Sequence, residues 1–228
     1  MKRFLTLSAI LFSFSAFAQY TPQEIKKFKI ARLITVAQTN GVETVQKTET
    51  WYDENGNDTA VYINGELSRR ANYEYNSKGQ VVSRTRYGAD GQESETATYE
   101  YNPDGSYIIR NTDKKFGMTD LTYCDKSGKT TKTVSPDRTE RLYIFNAKGK
   151  LTRIKSSNTD NGAIITDIQY TYNSKGQMIK EVSKGDYKWT STFTYDSKGL
   201  VTKVRRNSIT DGETDPETTY VYQYEFGK

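Results

Sequence analysis

The sequence predicts an all-β protein: an antiparallel β-meander of about 16 strands, built from β-hairpin repeats, forming a strongly twisted or curled sheet after a short N-terminal helix. Three observations predict this fold class. A short turn phrase recurs along the chain, a more variable turn lies between successive copies, and the intervals between turns have the length of a strand. Because each repeat is too small to bury an apolar face alone, the repeats must stack on one another.

The recurring phrase is an aromatic pair around one polar residue, followed by Asn or Asp, two further residues and Gly. Five copies are complete and two are weaker: 73–79, 99–105, 143–149, 170–176 and 193–199, then 52–56 and 124–128. This pattern is typical of a type I turn closed by a left-handed glycine with a β-bulge. Two positions after the glycine comes an apolar residue that we expect to meet the aromatics across the hairpin: Val81, Tyr107, Leu151, Met178 and Val201.

The N-terminal residues 1–18 have the features of a signal peptide. They begin Met1-Lys2-Arg3, continue as an apolar run that is too short to span a bilayer, and end on Ala16-Phe17-Ala18. We therefore expect cleavage after Ala18 and a secreted protein, in the periplasm, at the cell surface or outside the cell. No later segment is apolar enough for a transmembrane helix.

Residues 19–28 are predicted to form a short helix, and 29–228 a single β-hairpin repeat domain. Thr21-Pro22-Gln23-Glu24 matches a capping box with proline in the first turn, and Ile25 and Phe28 follow at helical spacing. Strand character begins at Ile30, and Asn40-Gly41 is a strong signal for the first hairpin turn. The turns counted from there separate sixteen strands.

So many strands cannot stay flat, because sheets twist and large open sheets curl or split. We expect an open, curled sheet rather than a closed barrel, since the repeat length varies and nothing in the sequence fixes a closing register. Its concave face should carry the aromatic residues, and its outer face Lys, Glu and Thr. The terminal strand near 220–226 would then be an exposed edge that favours self-association into a fibre or complex.

Tyr-Asp/Asn-x-x-Gly followed two positions later by an apolar residue resembles the YD repeats of Rhs-type bacterial proteins, over residues 50 to about 205. In that family the repeats form long β-hairpin spirals that build shells, or surface proteins suggested to bind carbohydrate. The resemblance implies a hairpin scaffold in an exported protein. This chain departs from the family pattern in having no arginine after the glycine, and Asn in place of Asp at Asn76, Asn102, Asn146 and Asn173.

Composition excludes several function classes. The formal net charge of +5 falls to about +3 without residues 1–18, and the basic residues alternate with acids, so we expect no nucleic-acid partner. The absence of histidine removes the common catalytic triads and zinc sites. Cys124, the single cysteine, occupies an aromatic position and should be a small buried residue. The loop from Asp53 departs from a calcium loop, so no metal site is expected there. Because the chain has no histidine and a single cysteine, we also expect no cofactor and no enzymatic activity.

Three aromatic residues are the candidate ligand-binding residues. Tyr187 and Trp189 lie outside the paired aromatic positions, and Trp51 takes a position that is normally polar. We therefore expect a binding or structural module at the cell envelope whose partner is a carbohydrate or an envelope protein. The alternative is a carbohydrate-active enzyme, or its accessory carbohydrate-binding domain. Clustered acids in a deep pocket would favour the enzyme, and a shallow aromatic patch would favour binding.

Overall fold

The computed structural model describes residues 20–39, 42–185, 188–210 and 213–227. Helix α1 (Pro22–Phe28) precedes seventeen strands in the described residues. These are β1 (Ile30–Thr39), β2 (Val42–Tyr52), β3 (Asp58–Ile63), β4 (Glu66–Tyr75), β5 (Val81–Gly88), β6 (Glu93–Tyr101), β7 (Tyr107–Asp113), β8 (Thr119–Cys124), β9 (Thr130–Val134), β10 (Thr139–Phe145), β11 (Leu151–Asn158), β12 (Ile164–Tyr172), β13 (Met178–Gly185), β14 (Lys188–Tyr195), β15 (Val201–Thr210), β16 (Glu213–Thr214) and β17 (Thr218–Phe226). The all-β prediction, with one short N-terminal helix, is confirmed.

Helix α1 begins and ends as its sequence predicts. The hydroxyl of Thr21 accepts the Glu24 amide at 3.3 Å, and the Glu24 carboxylate accepts the Thr21 amide at 2.8 Å. This capping box satisfies amides that would otherwise lack partners at the helix start. The helix stops at Lys29, which adopts a left-handed conformation with φ of 53°.

The recurring phrases form the predicted bulged turns. In the copy at 73–79, the Asn76 side chain accepts the backbone amides of Lys78 at 2.9 Å and Gln80 at 3.0 Å, and Gly79 has φ of 73°. The apolar residue two positions after each glycine lies opposite the second aromatic residue of its copy. The pairs are Tyr75 with Val81, Tyr101 with Tyr107, Phe145 with Leu151, Tyr172 with Met178, and Tyr195 with Val201.

The sheet closes on itself, which corrects the prediction of an open curled sheet. Successive strands from β1 to β15 pair antiparallel, β17 pairs with β15, and β17 also pairs with β1. The closing register runs from Ile30 opposite Phe226 to Thr39 opposite Thr218. Sixteen strands therefore form a closed barrel, and β16 is a two-residue addition that pairs with β15 among the described strands.

Closure is compatible with unequal repeats because the extra residues lie in turns and bulges. The longest interval, from Gly149 to Gly176, still brings Tyr172 opposite Met178, as in the shorter repeats. The expected edge near 220–226 is likewise absent, since β17 pairs with β1 along its length. The proposed self-association through that edge therefore has no exposed strand to use.

A repeated tyrosine contact joins neighbouring hairpins. The hydroxyl of the second tyrosine donates to the backbone carbonyl of the apolar residue in the preceding repeat, at 2.6 to 3.0 Å. The contacts are Tyr101 to Val81, Tyr172 to Leu151, Tyr195 to Met178 and Tyr224 to Val201. In each case the strand ladder ends two residues beyond that carbonyl, at Ser83, Arg153, Lys180 and Lys203. The hydroxyl thus supplies the hydrogen bond that the ladder does not.

The inner face carries the aromatic residues of the repeats, as predicted, together with an apolar core on one side of the barrel. This core consists of Leu33 on β1, Phe193 on β14, Val201 and Val204 on β15, and Tyr222 on β17. The wall from β2 to β6 lines a cavity, and its Tyr52 on β2 also packs against this core. Charged side chains also lie inside the barrel, in contrast to the purely aromatic inner face that the sequence suggested.

Candidate functional site

The barrel has two chemically different ends, because in an antiparallel meander alternate turns lie at opposite ends. The Asn/Asp-x-x-Gly turns form one end, and helix α1 lies across it. The Tyr20 hydroxyl accepts the Val201 amide at 3.0 Å, and Ile25 packs with Leu200, whose side chain is fully buried. At the β2–β3 turn of the same end, Gly56 lies against the backbone of Pro22. The helix therefore bridges turns that are far apart in sequence.

A cavity of about 610 Å³ lies directly beneath α1, along the wall formed by β2 to β6. It reaches from the helix to Ile63 and Ser68, which lie beside the β3–β4 turn at the opposite end of the barrel. Its lining combines aromatic rings, hydroxyl and amide groups, and charges, including Tyr20, Tyr52, Tyr73, Tyr99, Gln46, Thr48, Thr50, Asn57, Asp58, Arg69, Arg84 and Arg86. This volume is within the range of small-molecule sites, which runs from about 300 to 1,000 Å³.

Five charged residues form a group at the cavity wall, and we call them the arginine cluster: Asp58, Arg69, Arg84 and Arg86, which line the cavity, and Glu95, which pairs with two of these arginines. The Asp58 carboxylate lies 3.4 Å from the Arg69 guanidinium and 3.5 Å from that of Arg86. Glu95 pairs with Arg84 and lies 3.1 Å from Arg86. Arg86 therefore links the two carboxylates, and the cluster contains one more positive charge than negative.

The arginine cluster is held by its neighbours. The Tyr73 hydroxyl donates to Asp58 at 2.9 Å, and burial together with the charge of Asp58 raises the pKa of Tyr73. Arg84 donates to the Asn111 side chain at 2.8 Å. The Nε atoms of Arg84 and Arg86 are buried and have no acceptor among the described residues.

A second polar group lies inside the barrel around Glu181, whose side chain is completely buried. One carboxylate oxygen accepts the indole N–H of Trp189 and lies 3.4 Å from the Arg206 guanidinium. The Ser191 hydroxyl lies 3.5 Å from the same oxygen. Burial raises the pKa of Glu181, against the opposing effects of Trp189 and Arg206. The other carboxylate oxygen has no hydrogen-bond partner among the described residues.

The structure does not bring the predicted binding residues together. Trp51 is 40% exposed on the outer face of β2, where the Arg32 guanidinium lies 5.1 Å from the centre of its ring. Trp189 faces inward from β14, beside Glu181. Tyr187 lies outside the described residues. Their role in binding stays a prediction, but Trp51 and Trp189 belong to opposite faces of the sheet.

Sequence reasoning missed the charged interior, although a signal for it was present. When one bulge residue is counted after each glycine, the fifth and seventh following positions face inward. These positions are Arg84 and Arg86 after Gly79, Glu181 after Gly176, and Arg206 after Gly199. A strict two-residue alternation from the glycine assigns the same residues to the outer face.

Two further sequence features have structural explanations. The Asp53 carboxylate accepts hydrogen bonds from the backbone amides of Asn55 at 2.9 Å and Asn57 at 2.8 Å, and it thereby stabilises the turn. Cys124 is buried, and burial raises the pKa of its thiol.

In the part of the chain that the structure describes, no group of three or more metal-binding side chains is arranged to hold an ion. Across the same residues, no helix has both the length and the apolar character needed to cross a membrane.

Comparison with known families decides what kind of barrel this is. The model of the Teneurin YD-shell family matches residues 28–223, which include almost the whole sheet. The chain belongs to the Teneurin YD-shell family. The resemblance to YD repeats is thereby confirmed, and the seven turn phrases are the repeats of this YD-shell. No curated protein matches the chain.

Several solved structures align with this YD-shell at low identity. A porin-like protein from Bacteroides uniformis aligns over 87% of this chain and 97% of its own, with 15% identity and a TM-score of 0.37. The complex of TcdB2, TccC3 and Cdc42 aligns over 86% of this chain and 11% of its own, with 12% identity and a TM-score of 0.39. A Tc holotoxin pore from Photorhabdus luminescens aligns over 85% of this chain and 15% of its own, with 13% identity and a TM-score of 0.34. This YD-shell thus spans only a small part of the toxin chains.

Proposed function

We propose that this protein is an exported, non-enzymatic binding module of the cell envelope that holds a carbohydrate inside its closed YD-shell. The observation that carries the proposal is the cavity of about 610 Å³ beneath α1, bounded by a wall of paired strands. Rigid, preformed concave sites of this size are typical of small-molecule binding. Residues 1–18, with their signal-peptide pattern, support export.

The chemistry of the cavity wall supports a sugar as the ligand. Tyr52 and Tyr99 contribute aromatic rings, and Gln46, Thr48 and Thr50 contribute amide and hydroxyl groups. Sugar rings present apolar C–H faces and hydroxyl edges, so an efficient site combines aromatic surface with polar groups that fix orientation.

The contacts of the two acids in the arginine cluster support binding over catalysis. Glycoside hydrolysis requires two carboxyl groups on either side of the bond that breaks, one of them able to donate a proton. Asp58 is engaged by Tyr73, Arg69 and Arg86, and Glu95 is engaged by Arg84 and Arg86. Both side chains are therefore held by partners within the protein, which opposes a catalytic role for either.

A glycan array probed with purified residues 19–228 tests the proposal, and the heat-unfolded protein serves as the control. We expect selective binding by the folded protein alone, and each bound glycan should be recovered intact after prolonged incubation. Cleavage of the glycan would favour the enzyme. An array without any selective signal would refute carbohydrate binding. Mass spectrometry of the exported protein should give Gln19 as its first residue.

A further inference from the structure

We propose that the cavity beneath α1 is specific for an acidic sugar, whose carboxylate contacts the arginine cluster. The inference rests on the proposed carbohydrate-binding function and adds the charge of the ligand. It follows from three features of the cavity wall: the balance of charge, the unused hydrogen-bond donors, and the position of the cluster relative to the neutral part of the wall.

The balance of charge favours an anion. Three guanidinium groups, of Arg69, Arg84 and Arg86, face two carboxylates, of Asp58 and Glu95. The side chains of Arg84 and Arg86 are only 12% and 22% exposed, so solvent screens their charge weakly. A ligand carboxylate would neutralise the excess positive charge within the wall.

The unused donors point to the same ligand. Arg84 uses one terminal nitrogen for both Glu95 and Asn111, and its buried Nε has no acceptor among the described residues. The Nε of Arg86 is buried and lacks an acceptor in the same way. Buried polar groups are almost always hydrogen-bonded, and a guanidinium offers adjacent donors that match the two oxygens of a carboxylate. The wall therefore holds guanidinium groups whose donors the protein's own acids do not fully match.

The rest of the wall suits the neutral part of such a sugar. Thr48 and Thr50 on β2 line the cavity on the side away from β5, where Arg84 and Arg86 lie, and Tyr73 and Tyr99 lie on β4 and β6. A molecule that reaches from the arginine cluster to β2 would therefore meet aromatic rings and then hydroxyl groups. Because α1 covers one end, we expect entry from the opposite end, beside Ile63 and Ser68.

Isothermal titration calorimetry on the complete mature chain tests this inference. The probes are a galacturonate trisaccharide, the galactose trisaccharide of the same linkage, and sodium sulfate. We expect the acidic trisaccharide to bind about tenfold or more tightly than the neutral one, with an advantage that shrinks as sodium chloride is added. Arg84→Gln should reduce affinity for the acidic trisaccharide about tenfold and leave affinity for the neutral one nearly unchanged.

Arg110→Gln is the matched control, because Arg110 pairs with one carboxylate, Glu100, on the outer face. It should leave both affinities unchanged. If Arg84→Gln fails to fold, Arg69→Gln replaces it, since Arg69 is 47% exposed and contacts only Asp58 among the cluster's carboxylates. Thermal melting of each variant identifies those that are folded.

Equal affinity for the two trisaccharides would overturn the inference and leave the proposed function intact. Sulfate binding as tight as that of the acidic trisaccharide would overturn the assignment of a sugar to this site. If neither trisaccharide nor any glycan of the array binds, the proposed function and the inference fall together.

Discussion

The hydroxyl group of Tyr172 donates a hydrogen bond of 2.7 Å to the backbone carbonyl of Leu151 in the preceding repeat. The β11–β12 ladder ends at Arg153, so this carbonyl lies beyond the last strand pair. Three other tyrosines of the barrel make the same contact. Where this position of the repeat holds one of these four tyrosines, its hydroxyl joins neighbouring hairpins, whereas the copy at 143–149 has Phe145 there and lacks that donor.

Tyr172→Phe should lower the free energy of unfolding by about 1–2 kcal/mol, because it leaves the Leu151 carbonyl without its donor. Burial raises the pKa of Tyr172 to about 12, and this titration should disappear in the variant. Urea unfolding followed by circular dichroism measures the change. Tyr62→Phe is the control, since Tyr62 neighbours the inward-facing Val61 and lies on the outer face; its cost should stay within about 0.5 kcal/mol. Equal costs for the two variants would show that the repeated contact contributes nothing.

The contact of α1 with the barrel can be tested at two glycines with similar backbone conformations. Gly56 and Gly79 have φ of 83° and 73°, but a Cβ at Gly56 would overlap the backbone of Pro22, whereas a Cβ at Gly79 meets open space. Gly79→Ala should cost about 1–2 kcal/mol, the strain of a left-handed alanine. Gly56→Ala should cost about 1–3 kcal/mol more, because α1 must move. Chemical denaturation gives both values, and identical costs would contradict the docking of α1 on this turn.

Glu181 should make stability fall as pH rises. Its pKa is raised in the folded state by burial, so the folded protein is favoured while the carboxyl is protonated in both states, below the ordinary glutamate value of about 4.3. That advantage is lost as pH rises from there through the raised pKa. Relative to Glu181→Gln, the wild-type protein should therefore lose stability between pH 4 and neutrality, as melting temperatures across this range will measure.

Glu100 provides a control of opposite sign. Its hydrogen bond with Arg110 lowers the pKa of Glu100, so its contribution is present above about pH 4.3 and is lost as pH falls through the lowered pKa. The wild-type protein should thus gain stability relative to Glu100→Gln as pH rises through the acid range. A Glu181→Gln profile with the same sign as the Glu100→Gln profile would contradict a pKa of Glu181 that burial raises despite the contacts with Trp189 and Arg206.

The two tryptophans should report opposite faces of the sheet. Trp51→Phe and Trp189→Phe each leave a single tryptophan, because the chain has only two. Acrylamide should quench the exposed Trp51 several times more strongly than the inward-facing Trp189.

Trp51→Ala should also leave glycan affinity unchanged, since the cavity lies on the inner face. Loss of glycan binding in Trp51→Ala would instead place the ligand on the outer face.

The hairpins could be predicted from sequence because they depend on local chemistry. Asn76 and Gly79 determine a turn within seven residues, and the turn fixes Val81 opposite Tyr75. Helix α1 could be predicted in the same way, since its capping box lies within four consecutive residues, 21–24. Such features require only neighbours along the chain.

Closure could not be predicted in the same way. The pairing of Ile30 with Phe226 joins residues almost two hundred positions apart, and no local sequence motif predicts such a pairing. It depends on the summed twist and stagger of sixteen strands. The arginine cluster was missed for a different reason: the bulge after Gly79 reverses which residues face inward, so Arg84 and Arg86 look like surface residues unless the extra residue is counted.

Amide hydrogen exchange at the closing strands tests the central claim most directly. If the barrel is closed through β1 and β17, the amides of Ile30–Thr39 and Thr218–Phe226 that face each other should be protected as strongly as those of an internal pair such as β4 and β5. Exchange of the facing β1 and β17 amides at the rate of unpaired backbone, while β4 and β5 stay protected, would show an open sheet and contradict the closed interior on which the cavity depends.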